Sequence, residues 1–458
     1  MQNTHSRWIK VFITVILVCS GCATIANLDL NKLYGHENPA NRAPASVTQA
    51  SLESPATAFY QTKVAPVIEG RCVVCHACYD APCQLKMSSP EGIERGANKE
   101  IVYHGSRILA ATPNRLFLDA LDSPDWRERG FYPVLNEREQ TPSANTQASV
   151  LAKMLMLKQQ HPLPDDKLLD ERFDVSIDRS QQCPTIAEFD GYAKSQAFGG
   201  MPYALPELTG EEHNILMSWI DSGAYLPARA PLSEAQESAV NSLEDFLNAD
   251  NLKVQLSARY IYEHLFSSHL YFSEITAPDA QPQFFNLVRS RTPSGQAIDV
   301  IPSRRPFDEP GVKRVYYRLQ PVMSTIVNKT HQPYAIHKAL TDKWQKWFVD
   351  ADYTVTELPS YKPKVAANPL TAFTQLPENA RYRFMLERAQ NTIMGYIKGP
   401  VCRGQVALNV INDRFWVYFV KPEVADSPKI HAFYESQKDN LRLPAEHEST
   451  AFAVTWLE

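Results

Sequence analysis

The sequence predicts a mainly α protein: a helical domain over residues 56–228, then a mostly helical α+β domain with one small β-hairpin over 231–458. Three observations carry that expectation. Thr209-Gly-Glu-Glu212 and Ser233-Glu-Ala-Gln236 are capping-box signals that open helices. Ile215, Leu216, Trp219 and Ile220 recur at helical spacing behind the first of them, and Gly223 stands where a glycine ends a helix. Gln405-Val-Ala-Leu-Asn-Val410 and Phe415-Trp-Val-Tyr-Phe-Val420 flank Asn412-Asp413 in the manner of a hairpin.

From the N-terminus, Arg7 and Lys10 precede the apolar stretch Val11 to Val18, followed by the small residues Ser20, Gly21, Ala23 and Ala26. This order reads as an export signal over 1–26. The run falls short of the ~20 apolar residues a spanning helix needs. Ser20-Gly21-Cys22 also has the form of a lipoprotein processing site, with Cys19 where an aliphatic residue is usual. The expected compartment therefore lies outside the cytoplasm, either with a lipid anchor on Cys22 or, after cleavage behind Ala26, without one. Residues 27–55 are polar and aperiodic and read as a tether. Short helices broken by Pro- and Gly-bearing loops follow to Pro227, and the domain boundary falls between Pro227 and Pro231. Beyond it, 251–272 reads as an aromatic-rich helix, 335–349 as an amphipathic one, and 378–397 as a run of strong helix formers.

A net charge of −5 and a pI near 6.2 provide no global basic field for nucleic acid or for an anionic membrane surface. Of eight cysteines, Cys19 and Cys22 belong to the signal region. In an oxidising compartment Cys78, Cys83, Cys183 and Cys402 are disulfide candidates, with Cys78 to Cys83 the easiest pair by loop length.

The run Cys72-Val-Val-Cys75-His76 carries the most specific chemistry. Two thiols two residues apart can add to the two vinyl groups of one haem, while the next residue offers its imidazole to the iron. A redox disulfide would call for βαβ context, and a zinc site for a second ligand pair at matching spacing; neither accompanies the run. One covalent haem c on Cys72 and Cys75 is the reading. Gly199-Gly200-Met201-Pro202, just ahead of the capped helix, resembles the distal methionine loop and terminal helix of cytochromes c. That resemblance makes the first domain cytochrome c-like, with His76 the proximal and Met201 the distal iron ligand. Apolar packing is the alternative role for Met201. The intervening residues 77–200 exceed what a minimal domain of this kind requires, and His104 and His161 within them are alternative distal ligands.

The longer run Arg71-Cys-Val-Val-Cys-His-Ala-Cys-Tyr-Asp-Ala-Pro-Cys-Gln-Leu-Lys86 resembles bacterial fatty acid cis/trans isomerase. So do Ala258-Arg-Tyr-Ile-Tyr-Glu-His-Leu-Phe266 and Gly399-Pro-Val-Cys-Arg-Gly-Gln-Val-Ala-Leu-Asn-Val410. The resemblance implies a periplasmic haem protein that turns cis double bonds of membrane acyl chains directly to trans, stiffening the bilayer under stress. Its partners would be unsaturated fatty acids or phospholipid acyl chains, with contact to the membrane surface. Members of that family are longer, so the second domain is expected to be incomplete at its C-terminus. The competing reading is a periplasmic c-type cytochrome for electron transfer fused to a docking domain, and a third is a non-catalytic lipoprotein with a structural haem. A dihaem peroxidase is disfavoured because the motif occurs once.

In the second domain Tyr260, Tyr262, Phe266, Tyr271 and Phe272 are candidate acyl-pocket residues, with plain core the stronger expectation. His264 and His269 suggest a metal pair, but five residues apart they do not share a helix face. Arg304, Arg305, Arg314 and Arg318, interleaved with Tyr316 and Tyr317, are headgroup candidates, with solvated surface preferred. A thiyl radical on Cys78 or Cys402 is a further chemical alternative to haem catalysis.

Overall fold

The computed structural model describes residues 30–42, 49–78, 81–102, 114–164, 168–175, 180–227, 230–398, 419–425 and 427–440. The expected export signal, Cys22, His104, Cys402 and all but the end of the expected β-hairpin lie outside them. The chain divides into two compact units, residues 1–100 with 114–230, and 101–113 with 231–458.

In the first unit helix α1 (Ala65–Arg71) leads into Cys72, whose amide donates to Ile68 O at 2.8 Å. A single turn, α2 (Val73–His76), then presents the motif. Helix α3 (Val150–Gln160) starts at Ser149, whose hydroxyl accepts from the Ala152 amide at 3.1 Å. Helix α4 (Gly210–Asp221) opens on the expected reciprocal pair: Glu212 N donates to Thr209 Oγ1 at 3.2 Å and Thr209 N to the Glu212 carboxylate at 2.8 Å. Leu216, Trp219 and Ile220 form its buried stripe, and Trp219 packs on Tyr60 with ring centroids 5.8 Å apart. Gly223 follows at φ +100°, a conformation that glycine adopts without Cβ strain.

The segment expected to be a tether does not hang free over residues 30–42. Arg138 is almost fully buried, and a buried guanidinium requires partners. Gly35 O accepts from it at 2.7 Å and Glu37 at 2.9 Å. Arg42 donates to the Gly223 and Ala224 carbonyls at 2.9 and 3.0 Å, tying the same segment to the end of α4. Polar composition suggested a solvated linker, whereas these polar groups satisfy the interior of the unit.

The second unit begins with α5 (Glu234–Asn248), again with a reciprocal capping box, and α6 (Leu252–Leu265). A four-stranded mixed sheet follows, made of β1 (His269–Phe272), β2 (Phe284–Ser290), β3 (Tyr316–Pro321) and β4 (Pro333–Ile336). The order is β3-β2-β1-β4; β1 runs antiparallel to β2 and parallel to β4, and β2 antiparallel to β3. Helices α7 (Lys338–Trp344), α8 (Glu378–Glu387) and α9 (Ala389–Lys398) follow, with shorter helices between α7 and α8 and two more over Pro422–Ala425 and Pro428–Ser436. The chain is thus largely helical as expected, but the sheet corrects the sequence reading in two places. The helix expected over 251–272 stops at Leu265, and the segment expected to be helical from 335 begins inside β4. Both strands are four residues long, and a run of that length does not distinguish period 2 from period 3.6.

Edge strand β3 is closed by α5. Glu244 accepts from the Leu319 amide at 2.8 Å and from Arg318 Nε at 2.6 Å, and Asn248 bonds both the amide and the carbonyl of Tyr317. Arg318 is therefore buried, not solvated surface as expected. Arg314 reaches Asn248 O at 2.9 Å and Arg305 pairs with Asp308 at 2.6 Å. Tyr260, Tyr262 and Phe272 belong to the core with Trp344, Phe348 and Phe384, as preferred over a pocket lining. His264 Nδ1 lies 2.7 Å from Tyr260 O and His269 Nδ1 2.5 Å from His331 O, and among the described residues no group of His, Cys, Asp and Glu is arranged to hold a metal ion. No described helix is long and apolar enough to cross a membrane.

Burial pushes His264 down from 6.5 to about 4, against the opposing pull of its bond to Tyr260 O. An unfolded histidine takes up its proton near pH 6.5, and the folded one refuses it until near pH 4. The contribution of neutral His264 is thus complete above about pH 6.5 and is lost as the pH falls towards 4, with a slope of up to about 1.4 kcal/mol per pH unit for one proton. Urea unfolding across this window should show His264→Gln shallower than the parent by one proton. Equal slopes would contradict the assignment.

Candidate functional site

A cavity of about 520 Å³ lies within the first unit, and Cys72, Cys75, His76 and Met201 all line it. The local sequence places the first three on one turn at the end of α1, while Met201 arrives 125 positions after His76 on the loop before α4. Val134, Val150, Leu151, Leu155 and Leu208 supply apolar wall, and the volume is in the range of small-molecule and cofactor sites.

His76 is buried, and its Nδ1 lies 2.8 Å from Leu85 O. A carbonyl only accepts, so Nδ1 carries the proton and Nε2 keeps its lone pair. This is the arrangement that orients a metal-binding imidazole. Cys72 and Cys75 are not in a disulfide. Desolvation pushes Cys72 up to about 12; Arg71 opposes it, and Cys75 and Glu212 add to the rise. Among the described residues the motif lies on a helical turn that follows α1, not at a βα junction, and no group of His, Cys, Asp and Glu is arranged to hold a metal ion. The donor set therefore fits a haem bonded through Cys72 and Cys75, with one nitrogen and one thioether ligand available, better than it fits either rival of the motif.

The loop bearing Met201 is held against one wall. Met201 N donates to Met154 O at 3.1 Å, Tyr192 Oη to Gly199 O at 2.8 Å, and Gln159 Nε2 to Leu208 O at 3.0 Å. Gly200 lies so close to α3 that an added Cβ would stand 2.3 Å from the Lys158 amide nitrogen. Gly200→Ala should therefore cost about 1–3 kcal/mol, the usual penalty of overpacking against atoms that cannot move aside. Denaturant unfolding would read it as a lowered midpoint at constant slope. A variant as stable as the parent would mean the approach is loose.

Other candidates fall differently. His161 is the C-cap residue of α3, its ring 5.8 Å from Phe198, and it is not among the residues lining the cavity. The pairing of Cys78 with Cys83 is overturned: Cys83 is bonded to Cys183, with Cα atoms 5.7 Å apart, and Cys78 is engaged in a separate disulfide. Cys83 sits at φ 54° in the turn Pro82–Gln84, where its amide also takes Gln181 Oε1 at 2.8 Å, so the turn faces the 180–184 segment and not Cys78. Both bonded cysteines line the cavity. Met87 and Met154, also in the lining, were not singled out in the sequence. Nothing in their local pattern separates them from core methionines.

A family model described as fatty acid cis/trans isomerase matches residues 111–458. The chain belongs to that family. The isomerase is therefore an enzyme acting on fatty acids, and electron transfer falls away as its main activity. The matched range contains Met201 and the described residues of the second unit from 231 onward, whereas Cys72, Cys75 and His76 precede it. No curated protein and no solved structure matches the chain.

Proposed function

We propose that this isomerase uses one haem c, attached through Cys72 and Cys75 in a cytochrome c-like domain and ligated by His76 and Met201. With it the enzyme converts cis double bonds of unsaturated fatty acids or phospholipid acyl chains directly to trans in the periplasm. The result is a stiffer membrane under stress. The single observation that supports the haem is the cavity itself, which gathers two cysteines outside any disulfide, an imidazole whose Nδ1 donates to Leu85 O and a thioether from distant parts of the chain.

The chemical need is plain. Rotation about an amide, only partly a double bond, already costs ~18–20 kcal/mol. A carbon–carbon double bond is stiffer, and acid/base side chains would tend to shift it instead of rotating it. When bound, haem supplies an electron-deficient iron that can draw π density from the alkene. The protein's own part is to hold His76 in a single tautomer through Leu85 O, to exclude water with the apolar wall, and to keep Met201 close as a soft, weak ligand. Met201 would be the residue able either to give way to substrate or, as a thioether, to favour a high potential. Contact with the membrane surface, with or without an anchor at Cys22, brings the protein to its substrate.

The test uses the exported full-length protein. Its intact mass should exceed that of the polypeptide by one haem, and the ferric form should convert a cis-unsaturated fatty acid to the trans isomer, read by gas chromatography. The ferrous, carbon monoxide-bound form should be at least tenfold slower. Equal rates in the two forms, or full activity without haem, would remove the haem from the reaction and leave the family assignment intact.

A further inference from the structure

We infer that Arg71 is the positioning residue that keeps the Met201 loop closed over the cavity, a role that rests on the haem reading above. Arg71 ends α1 and immediately precedes Cys72, so it sits on the same side of the site as His76. Its Nη2 donates to two successive carbonyls of the other side, Pro206 O at 2.9 Å and Glu207 O at 2.7 Å. Its Nε lies 3.8 Å from the Glu212 carboxylate, which at the same time accepts the Thr209 amide of the α4 capping box. One guanidinium thus links the end of α1, the loop after Met201 and the first turn of α4.

The other contacts of that loop have a different direction. Tyr192, Met154 and Gln159 hold Gly199, Met201 and Leu208 from the wall formed by α3 and the helix beside it. They fix the loop to its own wall. The Arg71 bonds instead run to the segment that carries the thiols and the imidazole. Arg71 itself lines the cavity and is partly exposed, so exchanging it does not empty a core position. Its fork reaches two carbonyls and a carboxylate together, a geometry that a lysine ammonium reproduces only in part.

A ligand loop that opens more readily admits an outside ligand more readily, since apparent affinity scales with the fraction of open molecules. In the full-length, haem-loaded ferric protein, Arg71→Leu should leave haem content unchanged and bind imidazole at least tenfold more tightly than the parent. Arg71→Lys should fall between them. Met201→Ala should bind imidazole most tightly, and in that background Arg71→Leu should add nothing, because its effect passes through Met201. Unchanged imidazole affinity in Arg71→Leu, or an equal gain with and without Met201, would overturn the role of Arg71 while leaving the haem in place. A wild-type protein that carries no haem would overturn both readings.

Discussion

Exchanging His76 for glycine is expected to lower isomerase activity by more than about 100-fold while leaving the first unit folded. The loss should exceed the 10–100-fold typical of removing a partner that only orients a metal ligand, because His76 is read as the ligand itself. The fold should survive because His76 ends a one-turn helix beside a cavity, where its Nδ1 donates to Leu85 O. Added imidazole should restore part of the activity by occupying the vacated volume. Activity and far-ultraviolet circular dichroism, measured with and without imidazole, separate the outcomes. Retention of most activity in a folded His76→Gly protein would exclude a catalytic role for His76 and would favour chemistry elsewhere in the chain.

The second large effect concerns Cys83 and Cys183. Their bond closes a span of 100 residues, and the chain-entropy account of such a loop gives about 4.7 kcal/mol, against measured losses of 2–5 kcal/mol for native bridges. The pair Cys83→Ser and Cys183→Ser together should lower the stability of the first unit by an amount in that range. Because both residues and the neighbouring Gln181, Gln182 and Pro184 line the cavity, the loss should appear there as well, as weaker retention of anything bound inside. Guanidinium unfolding of the oxidised parent and of the double variant reads the difference. A change below about 1 kcal/mol would mean that the hydrogen bond from Cys83 N to Gln181 and its neighbours hold the wall by themselves.

The particular elements explain why some features were legible and others were not. The Cys72 to His76 run and both capping boxes are local patterns: residues within three or four positions of one another bond to each other, so their geometry follows from their spacing. Met201 was identified as a ligand candidate because Gly199-Gly200-Met201-Pro202 ahead of the capped helix resembles the distal methionine loop of cytochromes c. Tertiary packing supplies a reason for Gly200, since only a residue without Cβ fits against Lys158. The sheet escaped the sequence reading because β1 and β4 are short, and their pairing joins residues more than 60 positions apart. Composition misjudged 30–42 for a related reason: polar residues that complete a buried Arg138 are indistinguishable in sequence from polar residues facing water.

The sequence by itself therefore determined the chemistry available to this protein, namely two thiols, an imidazole and a thioether in motifs suited to a haem, and the family resemblance that the matched range supports. The tertiary structure decided what those groups share. It brought Met201 to the cavity that His76 lines, fixed the His76 tautomer by giving Nδ1 to Leu85 O, chose Cys183 over Cys78 as the partner of Cys83, and carried Arg71 across to the Met201 loop. The physical reason is range. Spacing along the chain governs bonds within a turn, whereas which distant segments meet depends on burying apolar surface and satisfying every polar group of the whole unit at once.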